Sequence, residues 1–345
     1  MQSLNEIKRL LDDFGLAPQK RFGQNFLFDQ NLLAKVLELA ELSPVETVLE
    51  VGPGTGSMTE ELLVLAGRVV AVEIDKGLHR LLESRLGGRA NLTLLHEDVL
   101  AGKHEISPAV LAALGDRAVL VSNLPYNIAT PLVAQCLVTS WRSSTGILPV
   151  RRMGVSPMSA QPVEETSTSK PDHHGQDARG THGRDARATL FSRLIFTVQA
   201  EVADRFLAEP GTPQYGPISI LVSLLGRTHL GPTVPNTSFW PRPQVVSRIV
   251  RVDFDADRAA GVLDVPALKA LLSISFNQRR KQLASVARRK HSAFEPDELL
   301  AALDAAHIDH TLRAEDVGPA QFLQVANRLA GKARPIGGVS PVELE

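Results

Sequence analysis

The stretch "TVLEVGPGTGSMTEEL", residues 47–62, joins a short apolar run to a helix-like segment through a glycine-rich turn. Val and Leu in the apolar run favour a strand, and Gly52, Gly54 and Gly56 permit backbone conformations that side chains disfavour. Such a turn places the start of a helix at the carboxyl end of a strand, where ligands bind in α/β sheets. The stretch therefore predicts an α/β fold with a binding site at the end of its first sheet strand.

The spacing of these glycines bears on the class of ligand. A dinucleotide fingerprint, G-x-G-x-x-G, would need glycine at position 57, where the chain has Ser57. The observed G-x-G-x-G form is the one associated with nucleoside-type methyl donors. The alternative is a glycine-rich turn that binds no ligand. Ser57, followed three positions later by Glu60, also fits a capping box at the start of the helix.

Strand-like and helix-like segments alternate on either side of this stretch. The further strand candidates are "RVVAVEI" (68–74), "NLTLLHEDV" (91–99), "AVLVSNL" (118–124), "ISILVSLL" (218–225) and "SRIVRVDF" (247–254). Helix candidates between the first of these are "TEELLVLA" (59–66) and "GLHRLLESRL" (77–86). This alternation predicts a mostly parallel sheet with helices on both faces, joined by right-handed crossovers.

The remaining parts of the chain suggest two domains and an insertion. We expect an α/β domain at 1–263, a helical domain at 264–331 and a tail at 332–345. Residues 143–189 are rich in Ser, Thr, Gly, Pro, His and Arg, and contain the tandem pair "HGQDARGT" and "HGRDARAT". Because this segment cannot bury enough apolar surface to offset its ordering entropy, we predict a mostly disordered insertion.

The amino-acid composition limits the cellular environment and the classes of binding partner that we expect for this chain. The chain has 345 residues, 43% of them hydrophobic, which is enough for a sizeable core. No run of about 18 apolar residues predicts a membrane span, and the amphipathic N-terminus lacks a signal core. The single cysteine, Cys136, leaves no disulfide framework or cysteine zinc site and favours a reducing, cytoplasmic setting. With a net charge of -1, any polyanion site must be a local basic patch.

Two carboxylates end successive strand candidates after the glycine turn. Glu73 follows "VVAV" and is placed to accept hydrogen bonds from both hydroxyls of a ribose, although its neighbour Asp75 could compete. Asp98 ends the next strand and is placed to accept from an adenine amino group. The alternatives are a solvated charge at Glu73 and a helix cap at Asp98. The signals gain weight together because the carboxyl ends of parallel strands share one edge of the sheet.

The next strand ends in "NLPY", residues 123–126. An exocyclic adenine amine is a poor nucleophile because its lone pair is delocalised into the ring. The Asn123 side-chain oxygen and the Leu124 carbonyl could accept its two N–H groups and favour a pyramidal nitrogen. Pro125 would stiffen this backbone, and Tyr126 would stack on a base taken out of its helix. The alternative is a plain turn, in which Asn and Pro are common.

Two other segments carry residues that suit the same site. In "KRFGQNFL" (20–27), Lys20 and Arg21 would contact phosphate, while Asn25 and the Leu27 backbone would close over the donor. In "SFWPRPQVVSRIVRV" (238–252), Phe239 would form a second stacking face opposite Tyr126, and we favour core packing for Trp240.

A basic segment lies near the start of the helical region. "FNQRRKQLASVARRK" (276–290) has six positive charges and no acid, which suits contacts with RNA phosphates. The alternative is a solvated helix face. The candidate phosphate-binding residues are Arg279, Arg280, Lys281, Arg288, Arg289 and Lys290.

Taken together, these segments resemble the ribosomal RNA adenine dimethyltransferase family, and its small-subunit members most closely. The resemblance rests on "KRFGQNFL", "LEVGPGTGSMT", "VVAVEID", "HEDVL", "SNLPYNIATPL", "QAEVADRF", "YGPISIL", "FWPRPQVVS" and "FNQRRKQL", in this order along the chain. It implies a class I S-adenosylmethionine-dependent methyltransferase fold, Rossmann-like, with a small all-α C-terminal domain. It implies N6,N6-dimethylation of two adjacent adenines in the 3′-terminal hairpin of small-subunit ribosomal RNA.

The same resemblance implies a set of site residues, partners and alternatives. The implied donor-site residues are Gln24, Asn25, Leu27, Gly52, Gly54, Gly56, Glu73, Asp98 and Asn123. No metal is expected, and the implied partner is the immature small ribosomal subunit, bound by a monomer. The segment 143–189 departs from the family pattern and puts substrate access in question. The alternatives are an assembly factor with reduced or lost catalysis and a large-subunit adenine methyltransferase.

Overall fold

The computed structural model describes residues 1–102, 105–145, 189–289 and 293–333. The N-terminal part of the chain precedes the first strand of the main sheet. The elements there are α1 (Leu4–Asp13), a 3-10 turn (Lys20–Phe22), β1 (Phe26–Leu27) and α2 (Gln30–Ala40). Helix α1 begins at Ser3 with a capping box to Glu6 and buries Ile7 and Leu11 on one face. The amphipathic helix predicted at this end of the chain is confirmed.

The central part of the chain alternates strands and helices, as predicted. Its elements are β2 (Thr47–Val51), α3 (Ser57–Leu65), β3 (Arg68–Glu73), α4 (Lys76–Leu86), β4 (Leu92–His96), α5 (Pro108–Leu114), β5 (Ala118–Asn123) and α6 (Ala129–Ser144). The next elements are β6 (Phe191–Gln199), α7 (Ala200–Arg205), α8 (Pro217–Leu225), β7 (Gly226–Val234), a 3-10 turn (Asn236–Ser238), β8 (Phe239–Trp240), β9 (Ser247–Phe254) and α9 (Ala256–Ala259).

Seven of these strands form one sheet in the order β4-β3-β2-β5-β6-β9-β7. Strands β2 to β6 pair in parallel, and β9 runs antiparallel to both β6 and β7. The chain moves outward from β2 to β4 on one side and from β5 to β6 on the other. This reversal opens a crevice at the carboxyl ends of β2 and β5, where α/β sheets bind their ligands.

Both faces of the sheet are covered by helices. Val48 and Leu49 are neighbours on β2 and fully buried, yet they belong to two different hydrophobic clusters, one on each face. This explains why the strand is apolar without alternation, since side chains of successive residues point to opposite faces. The predicted α/β class is confirmed.

The strand predicted at 218–225 is wrong, because these residues form helix α8. Pro217 occupies the first turn, where its missing N–H is not needed. Seven of the nine residues from Pro217 to Leu225 are hydrophobic or proline, and nearly all are buried in the helix. A short helix that is buried on all sides shows no amphipathic period, so the apolar run alone does not distinguish it from a buried strand.

The C-terminal part of the described chain is helical. Its elements are α10 (Val265–Phe276), α11 (Leu283–Ala287), α12 (Pro296–Ala305), a 3-10 turn (Ala314–Asp316) and α13 (Pro319–Arg328). Asp264 caps α10 by accepting from the Ala267 N–H at 2.9 Å. One hydrophobic cluster includes residues of the sheet, of α8 and of these helices. The proposed division into domains at 264 therefore coincides with a helix start but not with a gap in the core.

The predicted insertion, 143–189, lies mostly outside the described residues. Its predicted start falls within α6, which continues to Ser144. The Trp141 indole on this helix donates a hydrogen bond to the Val262 carbonyl at 2.9 Å, which ties α6 to the segment before α10. Across the described ranges, no helix is both long and apolar enough to cross a membrane.

Candidate active site

A cavity lies at the carboxyl edge of the sheet, at the ends of β2, β3, β4 and β5. Its walls come from five short segments, at 22–27, 50–55, 72–74, 97–99 and 123–128, together with Ile7, Leu33, Ser57, Met58 and Leu78. Most of the residues predicted for the donor site and the acceptor site therefore line a single cavity. Of the predicted donor-site residues, only Gly56 lies outside this lining.

The glycine turn forms one wall of the cavity. A steric contact explains why one of its positions is glycine. Gly54 has a φ of +63°, and a Cβ placed there would lie 2.9 Å from the Phe26 ring. The absence of a side chain therefore lets the aromatic ring of the preceding loop lie directly against the turn. Gly52 also lines the cavity and lies beside Pro125.

The structure gives the two residues that follow the turn other surroundings than expected. Gly56 caps helix α3 with a φ of +87° and packs against Leu82 of α4, which accounts for the glycine by close packing of two helices. A contact between Gly56 and the donor stays a prediction. Ser57 lies inside the helix rather than at its cap, and its hydroxyl accepts a hydrogen bond from the Gln2 N–H at 3.0 Å. The predicted capping box with Glu60 is therefore wrong.

Glu73 lies at the end of β3 with its carboxylate facing the glycine turn. Its oxygens accept hydrogen bonds from the Gly54 N–H at 3.3 Å and from the Asp75 N–H at 2.8 Å. Burial raises the pKa of Glu73 to about 7, although these backbone donors act in the opposite direction. The side chain is 3% exposed, so the cavity contains a carboxyl group that titrates near neutral pH.

Asp75 does not compete with Glu73, because its carboxylate has structural partners. One oxygen accepts from the N–H groups of Gly77 and Leu78 and caps helix α4. The other accepts from the side-chain amides of Gln19 and Gln24, at 2.7 and 3.0 Å. Asp75 therefore holds the loop before β1 against the sheet.

The loop before β1 brings three predicted residues to the cavity. Gln24 lines it, but both ends of its amide already have protein partners: its oxygen accepts from the Gln19 N–H in the loop, and its NH₂ group donates to Asp75 at the start of α4. Asn25 donates from its side chain to the Gly23 carbonyl at 3.1 Å and also lines the cavity. Leu27 is buried and pairs with Phe239 across the short sheet formed by β1 and β8. The geometry thus gives Gln24 a structural task within a wall of the site.

Glu50 was missed by the sequence analysis. It lies on β2, lines the cavity and is 2% exposed. Burial raises the pKa of Glu50 to about 8, and the nearby Glu73 raises it further. Among the described residues, its Oε2 atom has no hydrogen-bond partner. A carboxylate inside the apolar run "TVLEV" was the available signal, because an unpaired buried charge is costly unless a ligand meets it.

Asp98 lies at the exposed rim of the cavity, just beyond β4. Its Oδ1 atom accepts a hydrogen bond from the Leu100 N–H at 2.9 Å, which closes a local turn. No helix begins at Asp98 in the described chain, since α5 begins at Pro108. The helix-cap alternative is therefore wrong, and its position at the cavity agrees with the predicted donor role without testing it.

Asn123 ends β5 and is held from two sides. Its side-chain NH₂ group donates to the Asn25 carbonyl at 2.9 Å. The Thr197 hydroxyl donates to its Oδ1 atom. The amide oxygen predicted to accept from an adenine amine thus already accepts one hydrogen bond and retains a second acceptor site.

Tyr126 lies at the mouth of the cavity in a half-buried position. Its hydroxyl forms a hydrogen bond with the Ser247 hydroxyl on β9, at 2.9 Å. Burial raises the pKa of Tyr126 above its ordinary value, so the phenol is neutral at physiological pH. Leu124 and Pro125 complete the same wall.

Phe239 is not placed at the cavity, in contrast to its predicted stacking role. It is 2% exposed and packs in the core cluster that contains Leu27 and Met58. Side chains alternate along β8, so its neighbour Trp240 faces away from that core and stacks on Phe26 with 6.3 Å between ring centroids. Trp240 is half-buried and packs against the hydrophobic cluster that contains Ile7 and Leu11, so its predicted core packing is confirmed, although not against the last strand. Stacking by Phe239 stays a prediction that requires its ring to leave the core.

The predicted phosphate-binding residues occupy two surfaces. Lys20 and Arg21 are exposed on the 3-10 turn before β1, with the Arg21 guanidinium 4.5 Å from the centroid of the Phe22 ring. Arg279 instead bonds Glu315 and the Pro213 carbonyl, so it joins elements within the protein. The exposed members of the second surface are Arg280, Lys281, Arg288 and Arg289, while Lys290 lies outside the described residues.

Metal ligands do not cluster in the described part of the chain. No group of three or more His, Cys, Asp or Glu side chains there could hold a metal ion. Cys136 is buried in α6, and burial raises the pKa of its thiol beyond the physiological range. The polar side chains that line the cavity are carboxylates, the carboxamides of Gln24, Asn25, Asn123 and Asn127, the hydroxyls of Thr55 and Ser57, and the Tyr126 phenol.

Solved structures with similar folds are methyltransferases. A dimethyladenosine transferase from Plasmodium falciparum superposes with a TM-score of 0.61 at 21% identity, over 89% of this chain and 98% of that one. The 23S rRNA methyltransferase ErmE superposes with a TM-score of 0.51 at 23% identity, over 88% of this chain and 99% of that one. These similarities confirm the predicted class I methyltransferase fold.

Relatives at higher identity narrow the family. A ribosomal RNA small subunit methyltransferase A from Magnetococcus marinus is 34% identical over 95% of this chain and 97% of its own length. The protein of the same name from Moorella thermoacetica is 31% identical over 93% of this chain and 95% of its own length. The model of the ribosomal RNA adenine dimethylase family matches residues 16–331. The chain therefore belongs to the ribosomal RNA adenine dimethylase family.

Proposed function

We propose that this protein transfers methyl groups from S-adenosylmethionine to the N6 atoms of two adjacent adenines in the 3′-terminal hairpin of small-subunit ribosomal RNA. One observation carries the proposal: the glycine turn, Glu73, Asp98 and the Asn-Leu-Pro-Tyr segment line one cavity. The family supplies the reaction, and the names of the full-length relatives favour the small subunit.

The residues of the cavity fit a donor that carries an amino group, a ribose and an adenine. The unpartnered Oε2 atom of buried Glu50 suits a cationic amino group, which would also favour the ionised carboxylate. Gly54 leaves the turn without a side chain beside the Phe26 ring. When bound, S-adenosylmethionine supplies an electrophilic methyl group on a sulfonium.

Each carboxylate then has a distinct task in holding the donor. Glu73 would accept hydrogen bonds from ribose hydroxyls, because its carboxylate faces the turn at the end of β3. Asp98, at the end of β4, would accept from the adenine amino group. Asn25 and Leu27 would close the cavity from the N-terminal loop. These roles orient the donor and exclude water from its reactive end.

The acceptor side is built by the segment that ends β5. The Asn123 Oδ1 atom and the Leu124 carbonyl would each accept one N–H of the adenine amine, which directs the nitrogen lone pair toward the methyl group. Pro125 stiffens the backbone between them, and the neutral ring of Tyr126 would stack on the base. The amine loses its proton after methylation, so placement of the reacting atoms, rather than a strong base, supplies the catalysis.

Binding to RNA would use the exposed basic residues on two surfaces. Lys20 and Arg21 lie next to the cavity wall at Phe22, where they would contact phosphates beside the target adenines. The exposed basic residues on either side of α11 would contact a second part of the RNA. The proposed partner is an immature small ribosomal subunit. We propose that the protein binds it as a monomer in the cytoplasm.

The experiment is a methylation assay on immature small subunits with labelled donor, followed by mapping of the modified adenines. Naked large-subunit RNA serves as the competing substrate. We expect dimethyladenine at two adjacent positions near the 3′ end of the small-subunit RNA. Donor binding without any dimethyladenine would favour the alternative of an assembly factor, and modification of large-subunit RNA would favour the other alternative.

A further inference from the structure

Thr197 lies on β6, directly beside the end of β5, and is fully buried. It is the register partner of Asn123, and its hydroxyl donates a hydrogen bond to the Asn123 Oδ1 atom. Thr197 does not line the cavity. The hydrogen bond to Asn123 is the contact that links its hydroxyl to the cavity.

The two ends of a carboxamide differ in hydrogen bonding but hardly in shape. The Asn25 carbonyl can only accept, so it requires the NH₂ end of Asn123 to point toward it, at 2.9 Å. Oδ1 must then face the other way, toward Thr197. A threonine hydroxyl has one donor hydrogen, and here that hydrogen is directed at the acceptor oxygen of Asn123.

The consequence concerns the lone pairs of Oδ1. A carbonyl oxygen accepts two hydrogen bonds, and Thr197 takes one of them. With one lone pair used and the NH₂ end held by Asn25, rotation of the amide about its terminal bond is restrained from both ends. The direction of the second lone pair is thereby set before substrate arrives.

We propose that Thr197 is a positioning residue that aims the free lone pair of Asn123 Oδ1 at the amine of the target adenine. The inference rests on the proposed function, since it assigns the adenine amine to that lone pair. An oxygen presented in this way accepts from an amino group and disfavours a base that carries a carbonyl at the same position. Thr197 therefore contributes to the choice of adenine over guanine as well as to the orientation of the adenine.

Three variants separate this role from a structural one. Thr197→Val keeps the shape of the side chain and removes the hydroxyl, while Thr197→Ser keeps the hydroxyl. Thr228→Val is the matched control, because Thr228 is also on the sheet and its hydroxyl oxygen has no hydrogen-bond partner among the described residues. Thermal unfolding shows whether each variant is folded.

The measured quantities are kcat, the KM for small subunits and the Kd for S-adenosylmethionine. We expect Thr197→Val to lower kcat about 10- to 100-fold, because a small misplacement of a positioned group costs about this much. Kd and KM should stay near the wild-type values. Thr197→Ser should recover most of the lost kcat, and Thr228→Val should match the wild type.

A double variant tests whether Thr197 acts through Asn123. Thr197→Val combined with Asn123→Ala should be no slower than Asn123→Ala alone, since residues that act as a unit are non-additive. Wild-type kcat in Thr197→Val, no recovery in Thr197→Ser, or additive losses in the double variant would each overturn the role of Thr197. A wild-type protein that binds donor but forms no methylated adenine would instead overturn the proposed function.

Discussion

The side-chain amide of Asn123 donates a hydrogen bond to the backbone carbonyl of Asn25 across 2.9 Å, although 98 positions separate the two residues in the chain. One end of this bond belongs to β5, where the target base is expected. The other belongs to the loop that closes over the donor. The acceptor side and the donor side of the site are thus directly connected by a hydrogen bond. A substitution at either residue should affect both donor binding and methyl transfer.

Replacement of Asn123 tests the acceptor side. Asn123→Ala should lower kcat by about 100-fold or more, because one of two acceptors for the adenine amine is lost. Donor binding should weaken less, since the ribose and adenine contacts remain. Calorimetry with S-adenosylmethionine and single-turnover methylation measure the two effects. The control is Asn31→Ala, the same replacement at an exposed position of α2. Near-normal kcat in Asn123→Ala would contradict the assigned role.

Glu73 makes donor affinity depend on pH. Burial raises the pKa of this carboxyl to about 7, and ribose hydroxyls donate to its ionised form. Affinity should therefore increase as the pH rises from 6 to 8, by up to about tenfold per pH unit below the pKa. Calorimetry at a series of pH values measures the trend. Glu73→Gln should bind the donor weakly and lose the part of the trend that Glu73 contributes. An equal pH dependence of donor affinity in the wild type and in Glu73→Gln would assign that dependence to another titratable group.

Glu50 makes the stability of the donor-free protein depend on pH. Burial raises the pKa of Glu50 from 4.5 to about 8. Between these values the folded state holds a proton that the unfolded state releases, so the free energy of unfolding falls as the pH rises. The loss across this window is at most about 5 kcal/mol. It should level off above pH 8.

Chemical denaturation at pH 5.5 and 8.5 measures this loss in the wild type and in Glu50→Gln. The glutamine is neutral at both pH values, so the variant should show the smaller loss of stability. Glu38→Gln is the matched control, because the Glu38 side chain is 68% exposed. It should lose as much stability as the wild type. Equal losses in Glu50→Gln and the wild type would rule out Glu50 as the source.

Gly54→Ala tests the contact between the glycine turn and the aromatic ring. The new Cβ would lie 2.9 Å from Phe26 at a φ of +63°, so the ring must move. Gly15→Ala is the matched control, with a φ of +62° and no atom within 4 Å of the new Cβ. Both variants should lose about 1 kcal/mol of stability through the left-handed backbone. Only Gly54→Ala should also weaken donor binding, as measured by calorimetry; unchanged donor affinity would exclude a role for this contact.

The exposed basic residues on either side of α11 should control the salt dependence of RNA binding. Replacement of Arg280, Lys281, Arg288 and Arg289 by glutamine should reduce the slope of log K against log salt by about 3, if each contacts a phosphate. Filter binding of the hairpin RNA over a range of KCl concentrations measures the slope. Arg279→Gln should instead lower stability, because Arg279 bonds Glu315. An unchanged slope in the quadruple variant would place the RNA elsewhere.

Local sequence patterns were sufficient for the parts of the fold that repeat a simple unit. The four strands from Thr47 to Asn123 and the helices α3 and α4 were predicted because each has its own apolar run and its own boundary residues, whereas the short helix α5 was not predicted. The pattern failed at 218–225, where burial on all sides removes the amphipathic period that identifies a helix. It also failed for the capping box predicted at Ser57, whose hydrogen-bond partner Gln2 lies 55 positions away in the chain.

The amino-acid sequence by itself determined the α/β class and the edge of the sheet where the site lies, because parallel strands in right-handed units must bring their carboxyl ends to one edge. Only the tertiary structure decided how the residues at that edge are held. The Thr197 hydroxyl reaches Asn123 from a strand 74 positions away, and the Phe239 ring packs in the core instead of at the cavity. Hydrogen bonds and ring packing of this kind depend on which strands become neighbours in the sheet. A local hydrophobic period does not specify those neighbours.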